Sequence, residues 1–293
     1  MSKLTPTPIW EVQATLGEGV LWDAANRQVW FVDIKAGRIH RCAADGSERR
    51  SWSAPGQVSF IVPAADGGMV CSLDDGLYRF VDKGEHAGFV PVAQVEAERP
   101  GNRFNDGHVD AQGRLWFGSM HDAEQKPSGV LYCFEGGSVR PMDGGYVITN
   151  GPATSPDGCT LYHTDTLEKR VYAFDLAPDG SLSNKRTFVE LTDGGYPDGM
   201  AVDAQGHVWI ATFGGWRIDR FGADGSKLGE VRFPCANITK LAFGGDDLRT
   251  VYVSTARKGL SHEDLAAQPL AGALFSFRAE TPGLPQHALR LAK

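Results

Sequence analysis

The sequence predicts an all-β protein, a six-bladed β-propeller in which residues 1–293 form a single domain. Three observations carry this expectation. An aromatic or apolar residue recurs at the centre of a strand-like segment, at Trp30, Val70, Trp116, Tyr162, Trp209 and Tyr252, in steps of 40, 46, 46, 47 and 43 residues. Periods of this length mark one supersecondary unit repeated in space. Each unit reads as short strands separated by turn residues, the pattern of a propeller blade. No long amphipathic run of helical period interrupts them.

A second repeat fixes the register within the blades. Asp198, in Gly195-Tyr196-Pro197-Asp198-Gly199-Met200, lies eight positions before the hairpin glycine Gly206. Asn105 and Gly113, Asn150 and Gly158, and Glu18 and Asn26 keep the same spacing. These junctions read as tight turns leading into strands. Radial repetition brings equivalent positions to one axis, so Glu18, Asn105, Asn150 and Asp198 are expected around one channel.

In chain order, strands of blade one are expected at 19–22, 28–34, 38–42 and 49–52, with Asp45-Gly46 as a hairpin turn. Blade two follows at 59–63, 68–72, 76–80 and 87–92, with Ser59 at the junction. Residues 94–102 link to blade three, whose loop at 123–128 is long enough to reach over a channel mouth. Blade four takes 161–165, 170–175 and 186–190, and blade five adds 216–221 and 228–233. In blade six Thr239 occupies the junction, and 257–270 is a polar insertion holding a short helix. A ring left open would expose strand edges. Residues 9–13 are therefore expected to close it against a sheet containing 274–277 and 287–291.

Composition narrows the function. A net charge of −7 over 293 residues argues against a nucleic-acid surface, which carries a basic excess. Five scattered cysteines show neither CxxC nor zinc spacing, which fits a reducing, cytoplasmic setting. The first eight residues lack the apolar core of a signal peptide, and no apolar run approaches a membrane span. The partner expected is a small molecule, with no nucleic acid or membrane, and the protein a monomer or small homo-oligomer.

Glu18, Asn150 and Asp198 offer oxygen donors alone, two of them anionic, which suits a hard or borderline divalent cation. Any one of them could simply bond turn backbone; their shared register favours a common metal site at the channel mouth. Arg103 is a rigid fork of donors suited to substrate oxygens, or a salt-bridge partner of Asp106 or Asp122. Asn105 suits hydroxyl groups, or caps its turn. His121, Asp122, His163 and Asp165 are expected near the channel.

Leu16-Gly17-Glu18-Gly19, Asn102-Arg103-Phe104-Asn105-Asp106-Gly107, Ile148-Thr149-Asn150-Gly151-Pro152 and Tyr196-Pro197-Asp198-Gly199 together resemble the regucalcin and gluconolactonase (senescence marker protein) family. Tyr162-His163-Thr164-Asp165 and Thr255-Ala256-Arg257-Lys258 look closest to its bacterial sugar-lactone hydrolases, of the xylonolactonase and arabinonolactonase type. The resemblance covers essentially the whole chain. It implies one divalent metal held at Glu18, Asn150 and Asp198, with Asp198 as general base and Arg103 and Asn105 holding substrate. Calcium, zinc, manganese and ferrous iron all occur as options in such a family. Where animal members place a substrate-binding glutamate, this chain has Ala123, with Glu124 adjacent. The expected activity is metal-dependent opening of an aldonolactone to its sugar acid. The alternatives are a non-catalytic calcium- or ligand-binding propeller, or a metal-dependent esterase or phosphoesterase.

Overall fold

The computed structural model describes residues 4–291. Strand β1 (Thr7–Trp10) precedes blade one, which comprises β2 (Gly17–Asp23), β3 (Gln28–Asp33), β4 (Arg38–Ala43) and β5 (Arg50–Ser53). Blade two holds β6 (Ile61–Pro63), β7 (Met69–Leu73), β8 (Gly76–Lys83) and β9 (His86–Gln94); blade three holds β10 (Asn102–Val109), β11 (Leu115–His121), β12 (Gly129–Glu135) and β13 (Ser138–Tyr146). Blade four contains β14 (Thr149–Thr154), β15 (Thr160–Asp165), β16 (Arg170–Leu176) and β17 (Leu182–Glu190); blade five contains β18 (Tyr196–Val202), β19 (Val208–Phe213), β20 (Arg217–Phe221) and β21 (Lys227–Arg232). Blade six is built from β22 (Ile238–Gly244), β23 (Thr250–Thr255) and β24 (Leu274–Arg278), with the one-turn helix α1 (His262–Ala267) in its insertion. Each sheet has four antiparallel strands, so the six-bladed propeller is as the period requires.

The recurring residues of the sequence repeat sit on the second strand of each blade and make the core. Trp116 and Trp209 are almost fully buried, and their indole Nε1 groups donate to Asp110 Oδ2 and Asp203 Oδ2 at 2.8 and 3.0 Å. The same two aspartates accept from the backbone of their hairpins, so one carboxylate fastens turn and core together. Between blades the sheet faces interlock: Trp209 of blade five packs edge-on to Phe243 of blade six, with ring centroids 5.6 Å apart. The α1 helix begins at a capping box, in which Ser261 and Asp264 satisfy each other's backbone donors.

The junction residues are not turns before strands. In five blades they lie inside the first, innermost strand, at a register break between Glu18 and Leu21, Phe104 and Gly107, Asn150 and Ala153, Pro197 and Met200, and Ile238 and Lys240, whereas in blade two Ser59 precedes β6. Such bulges bend a strand and re-aim a side chain. Spacing alone looks the same for a bulge and a turn, because both need polar and glycine residues at fixed offsets.

Closure joins the two ends of the sheet order. β1 pairs antiparallel with β24, Thr7 opposite Ser276, and completes the last blade. The strand begins two residues earlier than expected and ends at Trp10. Residues 287–291 do not join that sheet, because β1 already occupies the free edge of β24. Instead the chain turns away after Arg278 and crosses the end of the channel opposite the mouth. Ala204 N donates to Pro282 O, Leu289 pairs in parallel with Ala64, and Arg290 N donates to Gly113 O. Leu289 is fully buried there, among residues of blades two and three.

Because β1 supplies the outer strand of blade six, removal of residues 1–13, of which 1–3 lie outside the described part, should lower the melting temperature markedly. An unchanged melting curve by differential scanning calorimetry would show that the ring does not need this strand.

Candidate active site at the channel mouth

Four of the six junction positions converge on one pocket. Glu18, Asn105, Asn150 and Asp198 line a cavity of about 340 Å³ together with Arg103, Glu124, Thr166, Tyr196 and Lys258. That volume is at the lower end of the roughly 300–1,000 Å³ of small-molecule sites. The other two positions turn aside: Ser59 Oγ bonds Ser72 Oγ at 2.7 Å, and Thr239 Oγ1 donates to Gly17 O at 2.5 Å. Leu16, Ile148, Leu167 and Phe213 give the pocket an apolar wall.

A chain of hydrogen bonds fixes the polar groups. Arg103 Nη1 donates to Asn105 Oδ1 at 2.7 Å, and Asn105 Nδ2 donates to Asn150 Oδ1 at 2.8 Å and to Thr149 O at 2.7 Å. Asn150 Nδ2 donates to Thr166 Oγ1 at 2.9 Å, whose own proton goes to Pro197 O. The amide of Asn150 is thereby held with its oxygen on the Asn105 side. Gly151, at φ +39°, follows it where an added Cβ would lie 2.9 Å from Met200 N, so the close approach of blades four and five requires glycine there.

Arg103 makes the ion pair expected with Asp122 and also lines the pocket. It is buried beside the pocket, and its Nε donates to Asp122 Oδ1 at 2.8 Å, a carboxylate that Lys35 also holds at 2.5 Å. Asp122 thus positions the arginine from outside. Glu124, with a left-handed backbone at φ 58°, lines the pocket and is ion-paired with Lys258 on the opposite rim. The loop at 123–128 therefore reaches the mouth through Glu124.

His163 and Asp165 are not part of the pocket. His163 is fully buried with its ring edge-on to Tyr146, and Asp165 Oδ1 accepts from Glu168 N in the turn after β15. His121 Nδ1 accepts from Gln125 N. All three residues lie on second strands, β11 and β15, one strand removed from the axis. Sequence reading missed Lys240, which follows Thr239 and carries a buried ammonium 2.5 Å from Asp106 Oδ2. A lysine in an apolar strand was the available signal.

The electrostatics are those of a crowded acidic site. Burial, and then the neighbouring Asp106, push the Glu18 carboxyl up to about 8. Asp198 is also raised well above the carboxylate range, first by burial and then by Glu18 and Asp106. Asp198 Oδ1 is buried with no hydrogen-bond donor. A bare buried carboxylate oxygen is costly unless something satisfies it. Two carboxylates, one with an unmet oxygen, and an amide oxygen form an all-oxygen donor set, and these residues fit a hard divalent cation. Among the described residues no group of three or more His, Cys, Asp or Glu side chains does so, since the third donor is an amide.

Fold and pocket together define the class: a propeller whose inner strands carry an oxygen-lined, small-molecule site at one end of the channel. The chain belongs to the family described as SMP-30/Gluconolactonase/LRE-like region, whose pattern matches residues 16–257. It is 33% identical over 273 residues to a 6-deoxy-6-sulfogluconolactonase of Pseudomonas putida, covering 92% of this chain and 93% of that one. It is also 33% identical over 287 residues to an L-arabinolactonase of Azospirillum brasilense, covering 95% and 93%. Among solved structures, a calcium-binding protein, regucalcin, from Agrobacterium tumefaciens superposes with a TM-score of 0.93 at 28% identity over 98% of both chains. No helix among the described residues is long and apolar enough to cross a membrane.

A carboxyl raised in the folded state binds its proton more tightly there than when unfolded, so its stabilising contribution is present at low pH and is lost as pH rises through the folded value. Chelator-treated protein should therefore lose stability through Glu18 as pH rises from about 4.5 to about 8, and level off above that. Glu18→Gln should flatten that part of the slope by a few degrees in thermal melts, and an identical slope in both proteins would contradict the burial assigned to this carboxyl.

Proposed function

We propose that this protein is a cation-dependent sugar lactonase that hydrolyses an aldonolactone, of pentose or hexose size, to the free aldonic acid. The observation that supports it most is the unmet Oδ1 of Asp198 beside Glu18 and the Asn150 amide, at the head of the Arg103–Asn105 arm. The lactonase names of the relatives agree with this chemistry. All 293 residues are taken to serve one domain with one site.

Glu18, Asn150 and Asp198 would hold the divalent cation, which when bound supplies Lewis-acid polarisation of the lactone carbonyl. Arg103 and Asn105 bind the hydroxyl groups of the sugar, Asn105 as an acceptor through the second lone pair of Oδ1 because its two amide hydrogens go to Asn150 Oδ1 and Thr149 O, and the hydrogen bond between the two residues holds them in place before substrate arrives. Asp198 takes a proton from the attacking water as the new C–O bond forms, and passes it to the ring oxygen as the acyl–oxygen bond breaks. For this role the carboxyl must be ionised, although burial and Glu18 favour its protonated form. A nearby positive charge reverses that preference. The apolar wall of Leu16, Ile148, Leu167 and Phe213 limits solvent around the reacting ester.

Three experiments test this reading. Chelation should abolish blank-corrected lactone hydrolysis while leaving the far-ultraviolet circular dichroism intact, because the sheets have their own core; full activity in cation-free protein would sink it. Asp198→Asn keeps an oxygen and the size but loses the proton acceptor, so turnover at saturating cation should fall by roughly 10²–10⁴-fold. Turnover close to that of the parent would move the base elsewhere. Arg103→Lys keeps the charge without the planar fork, and should raise KM for every lactone tested; an unchanged KM would make Arg103 a structural partner of Asp122 alone.

A further inference from the structure

Beneath the pocket lies an ion pair that crosses the channel. Asp106, next to Asn105 in blade three, accepts from Lys240 Nζ of blade six at 2.5 Å. In a ring of six, blades three and six stand opposite each other, so the pair is a spoke across the axis. Asp106 Oδ2 also accepts from Gly151 N of blade four at 3.0 Å, and Oδ1 from Gly107 N at 2.9 Å. The lysine stem passes over Gly199, where an added Cβ would lie 2.4 Å from Lys240 Cδ, so the residue after Asp198 must be glycine for the stem to lie there. Both charged side chains are buried, and Lys240 also lines a cavity of about 70 Å³ lower in the channel.

The channel end thus holds three buried carboxylates, Glu18, Asp106 and Asp198, and one buried ammonium. Arg103, the other buried cation beside them, is committed to Asp122. Asp106 raises the proton affinity of both Glu18 and Asp198, and Lys240 lowers it, so the four groups share one field. With all three carboxyls ionised, the net charge of the set is −2, equal and opposite to a divalent cation. Cation affinity in oxygen-donor sites follows the count of ligand charges and the rigidity of the cage.

We propose that Lys240 is a positioning residue that holds Asp106 out of the cation's donor set and caps the site's charge at −2, setting how tightly the cation is held. The inference rests on the cation reading of the mouth pocket. Without the ammonium, Asp106 becomes a third uncompensated carboxylate close to Glu18 and Asp198, next in sequence to the pocket residue Asn105. It then attracts the cation and is free to turn toward it.

The test is calorimetric titration of chelator-treated full-length protein with calcium and with manganese. Lys240→Met should bind at least about tenfold more tightly than the parent, and Lys240→Met with Asp106→Asn should return to within about threefold of the parent. A spoke that merely braces the ring predicts a lower melting temperature in Lys240→Met with unchanged or weaker cation affinity, and that result overturns the proposal. Loss of a partner from a buried pair is strongly destabilising, so Lys240→Met could fail to fold without cation. Asp106→Asn alone then decides: it reduces the site to −1 and should weaken binding about tenfold, whereas parent-like affinity overturns the proposal. If the parent binds neither cation, the cation reading and this inference fall together; binding by the parent with no change in either variant removes this inference alone.

Discussion

Three carboxylates confined to the closed interior of a protein channel must be held apart from water and close to one another, and the architecture around them answers that constraint. Burial alone favours the protonated form of each acid. Glu18 and Asp198 both show it, whereas Asp106 is embraced by two backbone amides and the Lys240 ammonium. The distinction separates two kinds of acid in one place. Asp106 is saturated by protein donors, while Asp198 retains an oxygen with none. The acid that lacks a donor is the one that lines the pocket.

A propeller achieves this crowding without disturbing its own core because the strands of each blade divide the work. The first strands carry the bulges and face the axis. The second and third carry Trp116, Trp209, Val171, Ile218 and their neighbours, all buried between sheets. A polar residue at this register is therefore exchanged at little cost to packing, as Ser59 and Thr239 show, one bonding Ser72 of its own blade and the other Gly17 O of blade one, where other blades supply acids or amides. Function in this molecule is a choice of which bulges carry donors. That choice, rather than the fold, separates one activity from another on the same scaffold.

The ring, the number of blades and the four converging side chains were legible in the sequence because each is repeated, and a repeat multiplies a weak local signal. Eight-residue spacing placed Glu18, Asn105, Asn150 and Asp198 correctly, even though the junctions proved to be bulges within strands. What was not legible were the features that occur once. Lys240 has no counterpart at its register in the other blades, so no period points to it. His163 and Asp165 looked site-like by residue type, but they sit on β15, the second strand of blade four, where His163 packs on Tyr146 and Asp165 accepts from the turn that follows. Residues 287–291 read as a strand and do pair, yet with Ala64 on the far side of the channel. Local pattern specifies that a segment wants a partner and leaves open which edge is free.

Closure by β1 also orders events in time. Thr7 finds Ser276 as its partner, so the last blade is incomplete until chain made at the two extremes of the sequence has met. At about 5–20 residues per second of synthesis, roughly ten seconds to a minute separates the appearance of β1 from that of β24. During that interval five blades can form from local hairpins, while the strand that seals the circle stays unpaired. Contacts of such long sequence separation form late and slowly. The nascent ring is an arc with two adhesive edges, and the pocket, whose Glu18 comes from the first blade and whose Lys258 comes from the sixth, assembles only when that arc shuts.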